Sequence, residues 1–491
     1  MVHEAEASFG LAPDSGSCKA LQRVIDQDRL FPAEPGIRKT ARMLYQHTKA
    51  LPIVSPHGHC DPTQLADDGP FGDPATELVT RDHYILRLLY SQGVPLEALG
   101  VQPLDGGWAQ SDGREIWREL ARSYHHFRGT PSKLWLDHTL AEVLDVGTPL
   151  RAETADEVYD DVCARLADDR FRPRAFYERF GIEFLATTDG ALDTLEPHAH
   201  LRASGWGGRM APTFRPDDVV DPERSDFRSN VAALGELTGA DTSTWRGYLE
   251  ALRTRRAFFV AAGCTASDHG HPTPATADLS PGDAEQLFAT VLRGEPGPAD
   301  SECFRAQMLV EMAAMSMEDG LVLQLHVGAW RNHNRDVAAR FGPDMGADMP
   351  RAVDFVSSLQ PLLNRFGNES RLTVVAYTLD ETTYSRELAP LAGHYPALRL
   401  GPPWWFYDSP EGMRRFYGHV IETAGFANTV GFNDDARSLL SIPARHDVAR
   451  RVNAGYLAGL VAEHRLEEGD AVEIAENLAY HHARHTFRVS S

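Results

Sequence analysis

A chain of 491 residues with 70 acidic against 48 basic side chains carries a formal charge of −22, which repels nucleic acid and anionic lipid at long range. Its 42% apolar and 24% charged residues are ordinary for a folded globular protein, and no apolar run is long enough for a membrane span. The length is about twice the roughly 250 residues of a minimal eight-stranded α/β barrel, so a second domain or a large insertion is expected.

In chain order, the first 27 residues contain Gly, Ser and Pro and read as a flexible N-terminal segment. Eight short β-type runs then recur, each followed by helical periodicity. They are 51–55, 182–186, 209–213, 258–262, 321–325, 372–376, 397–400 and 429–432. The third contains Pro212 and is the weakest. Alternating strand and helix signals predict a parallel sheet covered by helices, and eight of them predict a (β/α)8 TIM barrel. The interval 60–180 is too long for one crossover and reads as a helical insertion after the first strand, which distorts the barrel. The barrel itself is then expected from 28–59 and 181–491. The connection 215–255 also reads as helical, clearest from Trp245 to Arg253.

The first run leads into Pro56-His57-Gly58-His59. Residues two apart in an extended segment share a face, so both imidazoles can reach one ion at the C-terminal mouth, where barrel enzymes do their chemistry. The fifth run ends at His326, and the eighth is followed by Asn433-Asp434-Asp435-Ala436-Arg437. Histidines and an aspartate at matching strand ends converge on one axis, as a nitrogen and oxygen ligand set for Zn²⁺ or a similar ion. Either Asp434 or Asp435 can supply the carboxylate. An acidic protein that binds an acidic small molecule must place arginines locally, and Arg331 and Arg437 are candidates.

Five cysteines lack CxxC spacing, so a disulfide framework or thiolate zinc site is not suggested. Cys60 and Cys264, near the predicted mouth, read as small buried residues. The start MVHEAEASFG lacks the order of a secretory signal, and a cytoplasmic location is expected.

The chain resembles the uronate isomerases, an outlying branch of the metal-dependent amidohydrolase superfamily, from about Asp28 to Arg451. The resemblance is carried by Pro56-His57-Gly58-His59, Asp82-His83-Tyr84, Thr187-Thr188-Asp189, Ser267-Asp268-His269-Gly270, Gln324-Leu325-His326-Val327-Gly328 with Arg331-Asn332, Trp404-Trp405-Phe406 and Asp435-Ala436-Arg437-Ser438. It implies an aldose–ketose isomerase that interconverts D-glucuronate with D-fructuronate and D-galacturonate with D-tagaturonate through an enediol. It also implies one divalent metal ion, Zn²⁺, held by His57, His59 and Asp435, with His326 nearby or ligating. His83 and Tyr84 would handle protons beside Asp435; Arg331 and Arg437 would fix carboxylate and oxyanion; Trp404 or Trp405 would wall the sugar. The fourth run, Phe258 to Ala262, and the Gly263-Cys264 that follow it carry no lysine to bridge two ions, so a single ion is expected. Asp435-Ala436-Arg437 departs from the family's usual Asp-Ser-Arg. A hexuronate is the expected partner, in a homo-oligomer; a metal-dependent hydrolase or a non-catalytic sugar-acid binder are the competing readings.

Overall fold

The computed structural model describes residues 25–294, 296–405 and 408–489; most of the predicted flexible segment 1–27, and Phe406 of the aromatic motif, lie outside them. In chain order the strands are β1 (Ile53–Ser55), β2 (Ile182–Ala186), β3 (Asp189–Gly190), β4 (Met210–Ala211), β5 (Phe214–Arg215), β6 (Ala266–His269), β7 (Val322–Val327), β8 (Ala329–Trp330), β9 (Met349–Pro350), β10 (Val374–Thr378) and β11 (Leu398–Leu400).

All barrel pairings are parallel. β1 pairs with β2 and β2 with β4; β3 pairs with β5, then follow β6, β7, β10 and β11. Backbone bonds from Thr213 N–H to the Thr187 carbonyl and from Asp189 N–H to the Thr213 carbonyl join the β2–β4 ladder to β3–β5, so β2 with β3, and β4 with β5, act as the second and third barrel strands. An eighth segment enters through the parallel bridge Leu400↔Thr429. Between it and β1 no ladder is described; a backbone bond from His59 N–H to the Ala436 carbonyl, 2.8 Å, links their ends. Spatial order follows chain order, as a (β/α)8 barrel requires.

Alternation along the strands divides two cores. Val54, Phe184, Ala211, Ala266, Val322, Val375, Tyr377 and Val430 fill the interior, capped by Ala483, Phe487 and Val489 of the C-terminal segment. Leu323, Leu325, Val374, Leu398 and Leu400 face outward against the helices. Every regular element between β1 and β2 is helical, and these helices pack around an apolar cluster that holds Trp117, Leu120 and Val158 and takes Ile53, Ile182 and Leu185 from the barrel strands. No described helix is long and apolar enough to cross a membrane.

The predicted fourth strand is wrong. Residues 258–262 close the 17-residue helix Trp245–Ala261, whose C-terminus turns at Gly263 (φ 95°), and the fourth barrel strand is β6. A short apolar run reads equally as strand or buried helix, and here it continues a helical repeat already running from Trp245. A barrel strand is covered on both faces, whereas Phe258 and Val260 are about 40% exposed. β6 escapes notice because Ala266-Ser267-Asp268-His269 is largely polar. It too carries no lysine.

Candidate active site

The C-terminal ends of the barrel strands open into a cavity of about 460 Å³. It is lined by His57, His59, His326, Asp435 and Arg437 from the barrel and by Asp82, His83 and Tyr84 from the helices after β1. Arg331, Trp404 and Trp405 also line it, so every predicted site residue meets one space.

At its floor, Asp435 Oδ1 lies 3.3 Å from His59 Nε2 and 3.6 Å from His57 Nε2. Tetrahedral ligands at zinc's bond lengths sit about 3.3 to 3.4 Å apart, so the spacing is that of a ligand set. Asp435 Oδ1 is buried and, among the described residues, has no hydrogen-bond partner, which leaves it available to a cation. Burial pushes the Asp435 carboxyl up, but the closeness of His59, then His57 and His326, outweighs it and holds the group ionised. Burial, then His326, pushes His57 down to about 3, which keeps the imidazole in its neutral, ligating form.

The two adjacent acids have opposite surroundings. Asp434 is fully buried, accepts the Ala436 N–H at 3.0 Å and faces His446 Nε2 at 3.0 Å, away from the histidine pair. Asp435 reaches the pair from a left-handed backbone (φ 46°).

His326 stacks between His57 (4.3 Å) and Tyr377 (4.1 Å). Its Nδ1 meets Asp268 Oδ1 at 2.5 Å, and Arg215 Nη1 lies 3.1 Å from the other oxygen. Asp268 is fully buried; burial alone would protonate it, but His326 and Arg215 hold its pKa far down. This Arg215–Asp268–His326 chain is absent from the sequence reading. Asp268 lies in Ser267-Asp268-His269-Gly270, beyond the predicted strand 258–262, so that prediction does not bring it to the mouth.

Trp405 is held at φ 62° by its neighbours: its Nε1–H donates to the Asp348 carbonyl (3.2 Å), and Tyr84 O–H donates to its own carbonyl (2.7 Å). Tyr84 is buried against Trp135 and Trp405, and burial raises its pKa well above normal, so it stays protonated. His83 packs edge-on to Trp405 at 5.5 Å; burial, then Arg437, pushes it down to about 3. Asn332 and Asp344 are also left-handed, so four non-glycine residues in this region of backbone strain face one cavity.

Arg331 and Arg437 stand at the cavity about one third exposed, with Asp348 at 3.2 Å and Asp344 at 3.5 Å beside them. The sequence reading anticipated neither acid, since a lone aspartate in a long loop carries no pattern. Trp404 meets His326 edge-on at 5.1 Å. Cys60 and Cys264 are buried with their thiols on backbone carbonyls, and burial pushes Cys264 up to about 12, so they are packing residues.

A sequence model of the glucuronate isomerase family matches residues 33–487. Uronate isomerases from Phenylobacterium zucineum and Xanthomonas campestris pv. campestris are 57% and 56% identical over 94% and 95% of this chain, covering 96% and 99% of their own. The crystal structure of glucuronate isomerase from Caulobacter crescentus superposes with a TM-score of 0.93 at 52% identity, covering 95% of this chain and 98% of that one. With both chains matched almost end to end, this protein belongs to the uronate isomerase family.

Proposed function

We propose that the cavity interconverts D-glucuronate with D-fructuronate and D-galacturonate with D-tagaturonate, with one Zn²⁺ held by His57, His59 and Asp435. The observation that carries this reading, in a chain of this family, is the convergence of two imidazole Nε2 atoms on one buried carboxylate oxygen. Two neutral nitrogens and one anionic oxygen suit a borderline divalent ion. Bound there, the ion supplies Lewis-acid polarisation of the sugar's carbonyl oxygen.

The chain's own groups do the rest. Isomerisation removes the proton from C2 and delivers one to O1, giving the enediol; C1 then gains a proton and O2 loses one. His83, kept neutral by burial and Arg437, can accept a proton on one ring nitrogen and release one from the other, and we assign it the transfers together with Asp435. Tyr84, whose hydroxyl is committed to the Trp405 carbonyl, holds the aromatic wall in this scheme. Arg331 and Arg437 bind the C6 carboxylate: a guanidinium has five N–H donors, so one acid partner each leaves donors for the substrate. Trp404 and Trp405 flank the sugar, and His326, fixed by Asp268, orients it.

Incubation of the zinc-loaded protein with each uronate, followed by NMR, tests the reading. Ketose is expected from both. No turnover of either, or release of an acid or amine from a lactone or amide panel, overturns it.

A further inference from the structure

The tripeptide His-Gly-His occurs twice, at 57–59 and again at 269–271, each time at the C-terminal end of a barrel strand. The second copy supplies none of the groups assigned above, although His271 lines the same cavity. Along β6, Asp268 points inward to His326, so His269, the next residue, points to the opposite face, and His271, two further on, can share it.

His269 and His271 are 1% and 4% exposed, with rings 5.5 Å apart at 77°. Among the described residues none of their four ring nitrogens has a hydrogen-bond partner. Buried imidazoles normally spend both nitrogens on donors, acceptors or a metal, so two wholly unspent rings side by side call for a ligand. Burial lowers the pKa of both, His269 to about 3, leaving neutral imidazoles.

The third member is Asp217, which begins the short helix Asp217–Val220 just after β5. Its Oδ1 lies 3.9 Å from His271 Nε2, and one ligand atom from each of the three residues falls within 4.8 Å of the others. The carboxylate is already aimed: Arg215 Nε donates to Oδ2 at 2.8 Å, and the Gly270 N–H donates to both oxygens at 3.1 and 3.2 Å. Glycine is required at 270, where a Cβ would stand 2.1 Å from the pinned Arg215 Nη2. The local charge of Arg215 and Arg305 is opposed by Asp217, Asp221 and Glu302, all of which act on His271 or its carboxylate.

We propose that Asp217, His269 and His271 hold a second divalent cation of the zinc class, at the cavity's rim and apart from the ion at His57. Asp217 and His271 line the cavity, which gives the ion an entry path and an open coordination position. The two sets share no residue, so this is not the bridged pair of a two-metal hydrolase. The ion ties the chain leaving the third barrel strand to the chain leaving the fourth.

The test is metal content of the whole protein after saturation with Zn²⁺ or Co²⁺ and removal of free metal, with an anomalous difference map of crystals prepared the same way. A second molar equivalent is expected, with a peak between the three side chains. His271→Ala loses that equivalent and keeps the first; His59→Ala loses the first and keeps the second, so failure of the uronate reading shows separately. A single equivalent at saturation with no peak at Asp217 overturns the proposal, as does a second equivalent that survives His269→Ala and His271→Ala. If those variants do not fold, the map of the unaltered protein decides alone.

Discussion

The two His-Gly-His segments have the same sequence and opposite orientations, and the difference lies in where each strand stops. β1 ends at Ser55, and the chain passes through Pro56 before the histidines, so the alternation that sends Val54 inward is broken and His57 swings in against His326. β6 runs on through His269, so the alternation set by inward-facing Ala266 still holds, and Asp268 takes the inward place. A tripeptide therefore does not decide which face of the barrel wall its side chains take. The phase of the strand that delivers it does.

The comparison breaks most visibly at the first segment. His59→Ala should lower kcat/KM on the order of 10³-fold, the scale of losing a principal electrophilic contact, in steady-state assays with glucuronate. A smaller loss than that of His271→Ala would mean the wrong pair has been placed at the chemistry. Next in size is the inward face of β6. Asp268 fixes the ring of His326, and Asp268→Asn should lower kcat by about 10- to 100-fold with little change in KM, as expected for a group that orients another. A rise in KM alone would instead place Asp268 in uronate binding through Arg215.

Much of the barrel was legible in the sequence because seven of its strands are apolar runs bounded by polar residues: Ile182–Ala186 is met residue for residue, and Val322–Val327 and Val374–Thr378 within two at either end. The fourth failed because Ala266 is its one apolar residue and its inward place at 268 is spent on an aspartate that serves the site, while a more apolar run lay nearby at the end of a helix. Function had displaced the hydrophobic signal. The same cause governs the site. His57, His59, His326 and Asp435 lie at the ends of strands that can be seen, whereas Asp268 depends on one that cannot and Asp344 and Asp348 on long loops; Arg215, just past the third run, gains its role only through Asp268. The preference for Asp435 over Asp434 rests on the Asp-x-Arg spacing alone; the partner that sets the surroundings of Asp434 apart, His446, is twelve residues away on another element and out of reach of that pattern.

Between the two segments stands the end of the second barrel strand, which tests their shared cavity by pH. Burial raises the Asp189 carboxyl to about 7, against the Thr187 hydroxyl that donates to it at 2.7 Å. It is neutral below that pH and an anion above it, and it lines the cavity. A uronate is itself an anion, so kcat/KM should fall a few-fold as pH rises through 7, and Asp189→Asn should flatten this limb. The linkage to folding has the same sense: with a folded pKa above the unfolded value, the group's contribution is complete below about 4 and lost as pH rises through 7. A limb that persists unchanged in Asp189→Asn assigns it to another group.

The smallest expected effect bears on the strand that was misplaced. If residues 258–262 formed the fourth barrel strand, Val260 would be covered on either face, by the interior or by the helices, and Val260→Lys would bury a charge at a cost of several kcal/mol. In the last turn of the helix Trp245–Ala261, Val260 is 39% exposed, and the lysine can extend into water. The variant should then change unfolding stability by no more than about 0.5 kcal/mol in a denaturant melt. Its neighbour supplies the scale: Phe259 is fully buried against Phe214, and Phe259→Ala should cost about 3 to 5 kcal/mol. Near-neutrality at 260 beside a large loss at 259 is the signature of a half-buried helix. Comparable losses at both would return the run to the barrel wall, and with it the phase that sends Asp268 inward and the second histidine pair out.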